Sequence, residues 1–217
     1  SLSPVYQTIN TLIAKTNANA SELLVIHSHG HSDHKAGDGQ FKRQGITVID
    51  TPKANLQTYF DLAEWPNDTA SIELGSRRII LIPTPGHHDD AVTFYDSQTQ
   101  LLFTGDTLYP GLIYIKNWQD YRASIIRLVN FSQQHPVKAI LGGHIEMSTT
   151  AGQLYPIGST YQPNERPLPL SVSHLRSLND VLSDTPTERT LIFDAFIIKP
   201  MTRFQKALST LAAWFSD

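Results

Sequence analysis

The sequence predicts an α/β protein in which helices cover sheets. Three observations carry this. Short apolar runs of strand length recur at residues 23–26, 46–49, 79–82 and 138–141, and they alternate with amphipathic stretches of helical period. Three strand-like runs, at 79–82, 101–103 and 139–141, lead into a glycine followed at once by histidine or aspartate. The chain is 217 residues long and 40% hydrophobic, enough for one substantial core, so residues 1–217 read as a single domain.

Taken in order, Ser3-Pro4 is an N-cap and N1 pair. It opens a helix in which Val5, Ile9, Leu12 and Ile13 share a face and which ends near residues 17–19. Residues 23–26 read as a buried strand, and Gly37, Asp38 and Gly39 as a loop or helix start. Residues 46–49 form another strand. Thr51-Pro52 then caps a helix running towards Trp65, with residues 66–68 as the loop after it. Residues 72–74 and 78–82 are strands separated by Gly75-Ser76, and 91–95 and 100–103 form a hairpin around 96–99. Residues 118–134 are an amphipathic helix with Tyr121, Ile125, Leu128 and Val129 inward. Residues 155–170 are rich in proline and turn formers and read as an ordered loop that could wall a pocket. A helix at 171–182, a strand at 191–198 and a terminal helix marked by Phe204, Leu208, Leu211 and Phe215 complete the chain.

Bulk properties exclude several classes. Lys+Arg 17 against Asp+Glu 20 gives a net charge of −3, which does not suit a nucleic-acid-binding surface. There is no cysteine, so disulfides, thiolate metal sites and a cysteine nucleophile are excluded. No apolar run approaches the roughly 20 residues of a membrane span. A soluble protein acting on a small molecule, without nucleic-acid or membrane partners, is expected. The compartment is open: cytoplasmic, or periplasmic or secreted if an N-terminal segment has been processed away.

The chemistry concentrates in His29-Gly30-His31-Ser32-Asp33-His34, directly after the first strand. His29 and His31 are two residues apart and leave an extended backbone on one face, while Asp33 and His34 can be aimed at a second point by a turn. Three later strands deliver further donors after glycine: His87 in Thr84-Pro85-Gly86-His87, Asp106 in Thr104-Gly105-Asp106, and His144 in Gly142-Gly143-His144. Glycine there lets the backbone turn sharply and approach an ion closely. His27, His88, His135 and His174 carry the ordinary reading of core or surface residues. Asp89 and Asp90 could either orient a ligand imidazole or shape a turn.

With all seven donors in place, the chain from about Leu23 to His144 resembles the metallo-β-lactamase superfamily, whose signature is H-x-H-x-D-H followed by single His, Asp and His. The resemblance implies a four-layered αββα sandwich with the site at one edge of the sheets. It implies that His29, His31 and His87 bind one metal, that Asp33, His34 and His144 bind a second, and that Asp106 bridges them. Two Zn²⁺ are the default, with iron or manganese open, because His and carboxylate ligands suit all three. Such a site supplies hydroxide at neutral pH and polarises the bond under attack. Asp33 would also orient the nucleophile and return a proton to the leaving group.

Departures from the pattern narrow the function. The presence of Asp106 at the bridging position argues against a β-lactamase, and the intact second histidine argues against the diiron oxidoreductases. Phe103-Thr104-Gly105-Asp106-Thr107-Leu108 is similar to hydroxyacylglutathione hydrolases, without their continuation or a basic glutathione site. Tyr109 lies three residues after Asp106, the offset at which lactonases of the superfamily hydrogen-bond the substrate carbonyl; its alternative is a residue packed in the site wall. Members normally begin with several strands ahead of the first helix, so the resemblance also implies an N-terminally incomplete domain with sheet edges to cover. The expected function is metal-dependent hydrolysis of a small ester, lactone or thioester. The alternatives are a single-iron persulfide dioxygenase and a metal-binding fragment without turnover.

Overall fold

The computed structural model describes residues 3–15 and 22–214, and the side chains through residue 209. The order is α1 (Val5–Lys15), β1 (Leu24–Val25), α2 (Ser32–Lys35), α3 (Asp38–Lys42), β2 (Thr47–Val48), α4 (Lys53–Phe60), β3 (Ala70–Leu74), β4 (Arg77–Pro83), β5 (Val92–Asp96), β6 (Leu101–Gly105), β7 (Leu112–Ile115), α5 (Trp118–Gln134), β8 (Ala139–Gly142), α6 (Val172–Ser183), β9 (Leu191–Ile192), β10 (Ile197–Pro200) and α7 (Arg203–Trp214).

The main sheet has the order β3-β4-β5-β6-β8. The first three pairings are antiparallel and β6 pairs β8 in parallel. Residues alternate between its faces. Ile82, Tyr95 and Leu102 pack with Tyr121, Ile125 and Leu128 of α5 and Leu175 and Leu178 of α6 in the large core. Val92 and Phe94 pack the other way, against Ile49, Leu56, Leu24 and Ile26 of the β1–β2 and α4 region. Helix α3 contacts β2, and α1 contacts α3. Helix, sheet, sheet and helix thus follow one another, as the sequence led us to expect. A third sheet, β7-β10-β9, closes the large core with Ile113, Ile115 and Ile198.

Helix α5 falls on the expected residues, started by Asn117, whose side chain accepts from the backbone N–H groups of Gln119 and Asp120. Elsewhere tertiary packing moved boundaries. The expected strand at 23–26 is a two-residue, half-buried pairing with β2. Helix α4 stops at Phe60 rather than near Trp65, because Asp61 takes a left-handed φ of 54° and ends it. Residues 191–198 are not one strand: the chain reverses between β9 and β10, which pair antiparallel. In α1, Val5 and Leu12 of the expected apolar face are exposed. The expected end of that helix at 17–19, and Leu211 and Phe215 as inward residues of α7, lie outside what is described. Phe204 and Leu208 of α7 are exposed. Leu24, Ile26, Ile72, Leu74 and Phe94 line an open apolar groove of about 590 Å³ between β1–β2 and the β3–β5 face. Among the described residues, no helix is long and apolar enough to cross a membrane.

Candidate metal centre

Strand direction explains why distant residues meet. Because β4 and β6 are both antiparallel to β5, and β8 is parallel to β6, all three run the same way and end at one edge of the sheet. Their ends carry His87, Asp106 and His144. The chain leaving β1 joins the same edge, where the Ser28 carbonyl accepts from the Val92 N–H at the start of β5, at 2.8 Å. His29 and the rest of the histidine cluster follow from there.

Two donor groups result, each with ligand atoms within 4.8 Å of one another: His29, His31, His87 and Asp106, and Asp33, His34 and His144. In the first, His31 Nδ1 lies 2.8 Å from His29 Nε2 and 3.1 Å from His87 Nε2. Asp106 Oδ2 is 3.8 and 3.6 Å from the His29 and His87 Nε2 atoms. In the second, His34 Nε2 and His144 Nε2 are 3.3 Å apart, and Asp33 Oδ2 is 3.5 and 3.4 Å from them. Asp106 reaches this group too, with Oδ1 3.3 Å from His34 Nε2 and Oδ2 3.3 Å from His144 Nε2.

These donors fit a metal ion. Four ligands at the 2.0–2.1 Å typical of zinc stand at tetrahedral corners about 3.3–3.4 Å apart, close to the spacings here. Asp106 Oδ1 is buried without a hydrogen-bond partner, a costly state for a carboxylate oxygen unless a cation is its counterpart. His87 Nδ1 donates to the Tyr114 carbonyl at 2.7 Å, which leaves the Nε2 lone pair pointing at the group. Burial, reinforced by the neighbouring imidazoles, holds His29 and His31 below the usual histidine range, His31 at about 4. Burial is also the main reason His87 is lowered. Three neutral imidazoles facing one another are ready-made metal ligands. Burial opposes the Asp106 carboxylate, but the adjacent His144 and His34 imidazoles, with His87 and His29 nearby, overcome it and hold the carboxyl below the ordinary carboxylate range. His144 is raised, chiefly by its hydrogen bond to Asp106.

Helix α5 clamps the loops that present these ligands. Ser124 Oγ donates to the Pro85 carbonyl at 2.7 Å, and the Tyr121 hydroxyl donates to the Thr107 carbonyl at 2.9 Å. Asp90 is buried, accepts from the Gly30 N–H at 3.1 Å and pairs with His88 Nδ1, so it ties the His29–His31 turn to the loop after His87. Burial disfavours its charge, yet the His88 hydrogen bond holds it below the carboxylate range. Asp89 pairs with Lys116 at 2.6 Å on the surface. His27 pairs with Asp38, His135 stacks on Phe131, and His174 Nδ1 accepts from the Ser171 N–H at the start of α6. Tyr109 is buried with its ring against His144; its hydroxyl donates to the Leu112 carbonyl at 2.7 Å and lies 3.1 Å from Glu146. Burial and the Glu146 charge push that hydroxyl far up. Sequence reading missed Ser28, the Tyr114 carbonyl and Glu146, and took Tyr121 only as an inward residue of its helix; serine, tyrosine and glutamate at those places carry no distinguishing spacing.

A family model described as the metallo-beta-lactamase superfamily matches residues 23–144. The chain is 24% identical over 183 residues to an acyl-coenzyme A thioesterase, MBLAC2, of Bos taurus, across 68% of this chain and 64% of the relative. It is 34% identical over 100 residues to the hydroxyacylglutathione hydrolase of Francisella tularensis subsp. novicida, across 45% of this chain and 37% of the relative. The chain therefore spans less than two thirds of the length of these curated relatives. The crystal structure of ETHE1 from Myxococcus xanthus superposes with a TM-score of 0.53 at 18% identity, covering 82% of this chain and 70% of that one, a likeness of fold.

Proposed function

The chain belongs to the metallo-β-lactamase superfamily, and we propose that it is a dinuclear metallohydrolase, with zinc as its metal, that cleaves a small ester, lactone or thioester. Among these the thioester is favoured. Acyl-coenzyme A and hydroxyacylglutathione, the compounds named for its relatives, are both acyl groups carried on sulfur. The observation that carries the proposal is Asp106, whose two carboxylate oxygens lie within reach of both donor groups while one of them is buried without a hydrogen bond.

His29, His31 and His87 would hold one ion, Asp33, His34 and His144 the other, and Asp106 both. Bound there, zinc would lower the pKa of water to about 7 and polarise the bond being attacked. The protein's own groups do the rest. The Tyr114 carbonyl fixes the His87 tautomer. Asp90 and α5 hold the loops in register. Asp33 is the open member of the set, with its side chain 58% exposed against 8% for Asp106, so it can exchange protons with solvent, orient the nucleophile and protonate a departing thiolate. For Tyr109, the bonds to Leu112 and Glu146 favour a place in the wall beneath His144 over contact with a substrate carbonyl.

The test is metal content together with a hydrolysis panel of short acyl-thioesters, lactones, phosphodiesters and β-lactams. Two zinc ions per chain and cleavage of thioesters are expected, with Asp106→Ala losing metal and turnover together. Tyr109→Phe keeps turnover if the residue is wall and loses it on every cleaved substrate if it is a carbonyl donor. One iron per chain with oxygen consumption would replace hydrolysis by an oxidoreductase reading. A chain that binds two ions but cleaves nothing would reduce the protein to metal binding.

A further inference from the structure

One hydroxyl serves both halves of the centre. Ser28 Oγ lies 3.2 Å from His29 Nδ1 and 3.4 Å from His34 Nδ1. The opposite nitrogens of these rings face different groups. His29 Nε2 turns to His31 at 2.8 Å, and His34 Nε2 turns to His144 at 3.3 Å. The two rings lie against each other with centroids 4.1 Å apart and planes inclined at 49°, a wedge whose Nδ1 corners converge on Ser28.

A neutral imidazole carries one N–H, and its Nε2 lone pair is free only when the proton is on Nδ1. A serine oxygen has two lone pairs and can accept two such protons at once, leaving its own hydrogen to turn elsewhere. The oxygen is also fixed in place. The Ser28 carbonyl accepts from Val92 N–H at 2.8 Å, so the residue is tied to the sheet. On the other side stands Gly105, with φ of +50°, where a Cβ would come within 2.5 Å of both Ser28 Cβ and Oγ. The glycine before Asp106 thus makes room for the serine before His29.

We propose that Ser28 is a positioning residue that sets the tautomer of one imidazole in each half of the centre and thereby couples the two halves. The proposal rests on the two-group reading of the site but can be tested apart from it. In the metal-free protein at pH 8, long-range ¹H–¹⁵N correlation of the imidazoles should show both His29 and His34 as Nδ1–H tautomers. Ser28→Ala should release both rings towards Nε2–H, and Ser28→Thr, which keeps the hydroxyl, should hold both. By competition with a chromophoric zinc chelator, Ser28→Ala should weaken both zinc equivalents by roughly 10- to 100-fold, the usual effect of losing an outer partner of a ligand. Nε2–H tautomers in the wild-type protein, or a change confined to one ring, would overturn the proposal. If the wild type binds no zinc, the metal reading fails, while the tautomer pattern still decides the role of Ser28.

Discussion

At Gly86 the backbone adopts a φ of +142°, and a Cβ there would lie 2.5 Å from the Tyr121 Cα. The carbonyl of Gly86 also accepts from the N–H groups of both Lys116 and Asn117, at 2.9 Å each. The neighbour is helix backbone, so it cannot give way as a flexible side chain would. Gly86→Ala should therefore destabilise the protein by about 2–4 kcal/mol and displace His87, the next residue. Urea unfolding gives the first effect and zinc titration the second; a variant within 0.5 kcal/mol of wild type, with unchanged zinc affinity, would disprove the close approach. The importance of this glycine was legible in the sequence, since glycine preceded a candidate ligand. That Tyr121, thirty-odd positions on, was the reason was not.

The β5–β6 hairpin shows how an element hides its own support. Its turn, residues 96–99, was plain from composition, and Gln100 completes it with a φ of 62°. Asp96 in that turn is fully buried and pairs with Arg77 at the start of β4, and it accepts from the Gln98 N–H at 3.0 Å. The Arg77 hydrogen bond, aided by Thr99 and Gln98, holds the Asp96 carboxyl well below the ordinary carboxylate value. A depressed folded value means that the stabilisation is present above the unfolded pKa of about 3.9 and is lost as pH falls through the folded one. Asp96→Asn should cost about 1–2 kcal/mol at pH 7, a modest figure because Arg77 is partly open to water. The gap to wild type should narrow below about pH 4. Urea midpoints at pH 7 and pH 3 check this, and a gap that widens on acidification would reverse the assignment.

Across the whole molecule, the parts that meet at the candidate metal centre differ in how firmly they are built. The main sheet, α5 and α6 share a core of more than a dozen fully buried side chains. Residues 22–60 rest on the small cluster of Ile49, Leu56 and Val92 and on Phe41 of α3, with a two-residue strand pair and an apolar groove open at the side. Yet that weaker part supplies His29, His31, Asp33 and His34. Metal binding should thus stabilise it most: at a free concentration of 100 Kd the gain is about 2.7 kcal/mol. Hydrogen exchange with and without a chelator should show protection lost at residues 22–60 while β4, β5 and β6 keep theirs. Equal loss across the chain would show one cooperative unit instead.

The sequence by itself picked out the candidate donors, because ligand chemistry admits few residue types and the histidine, aspartate and glycine spacings are local. It also determined the α/β alternation and the length of α5, where the apolar period is unbroken. Tertiary structure alone decided the rest. Burial on both faces of the main sheet assigned alternate residues to two cores. Shared strand direction brought His87, Asp106 and His144 to one edge. Contacts between residues far apart in sequence, such as Gly105 against Ser28 and Gly86 against Tyr121, packed the segments that carry these residues against one another. Such contacts leave no local pattern, since each depends on a surface that forms only when the chain has folded.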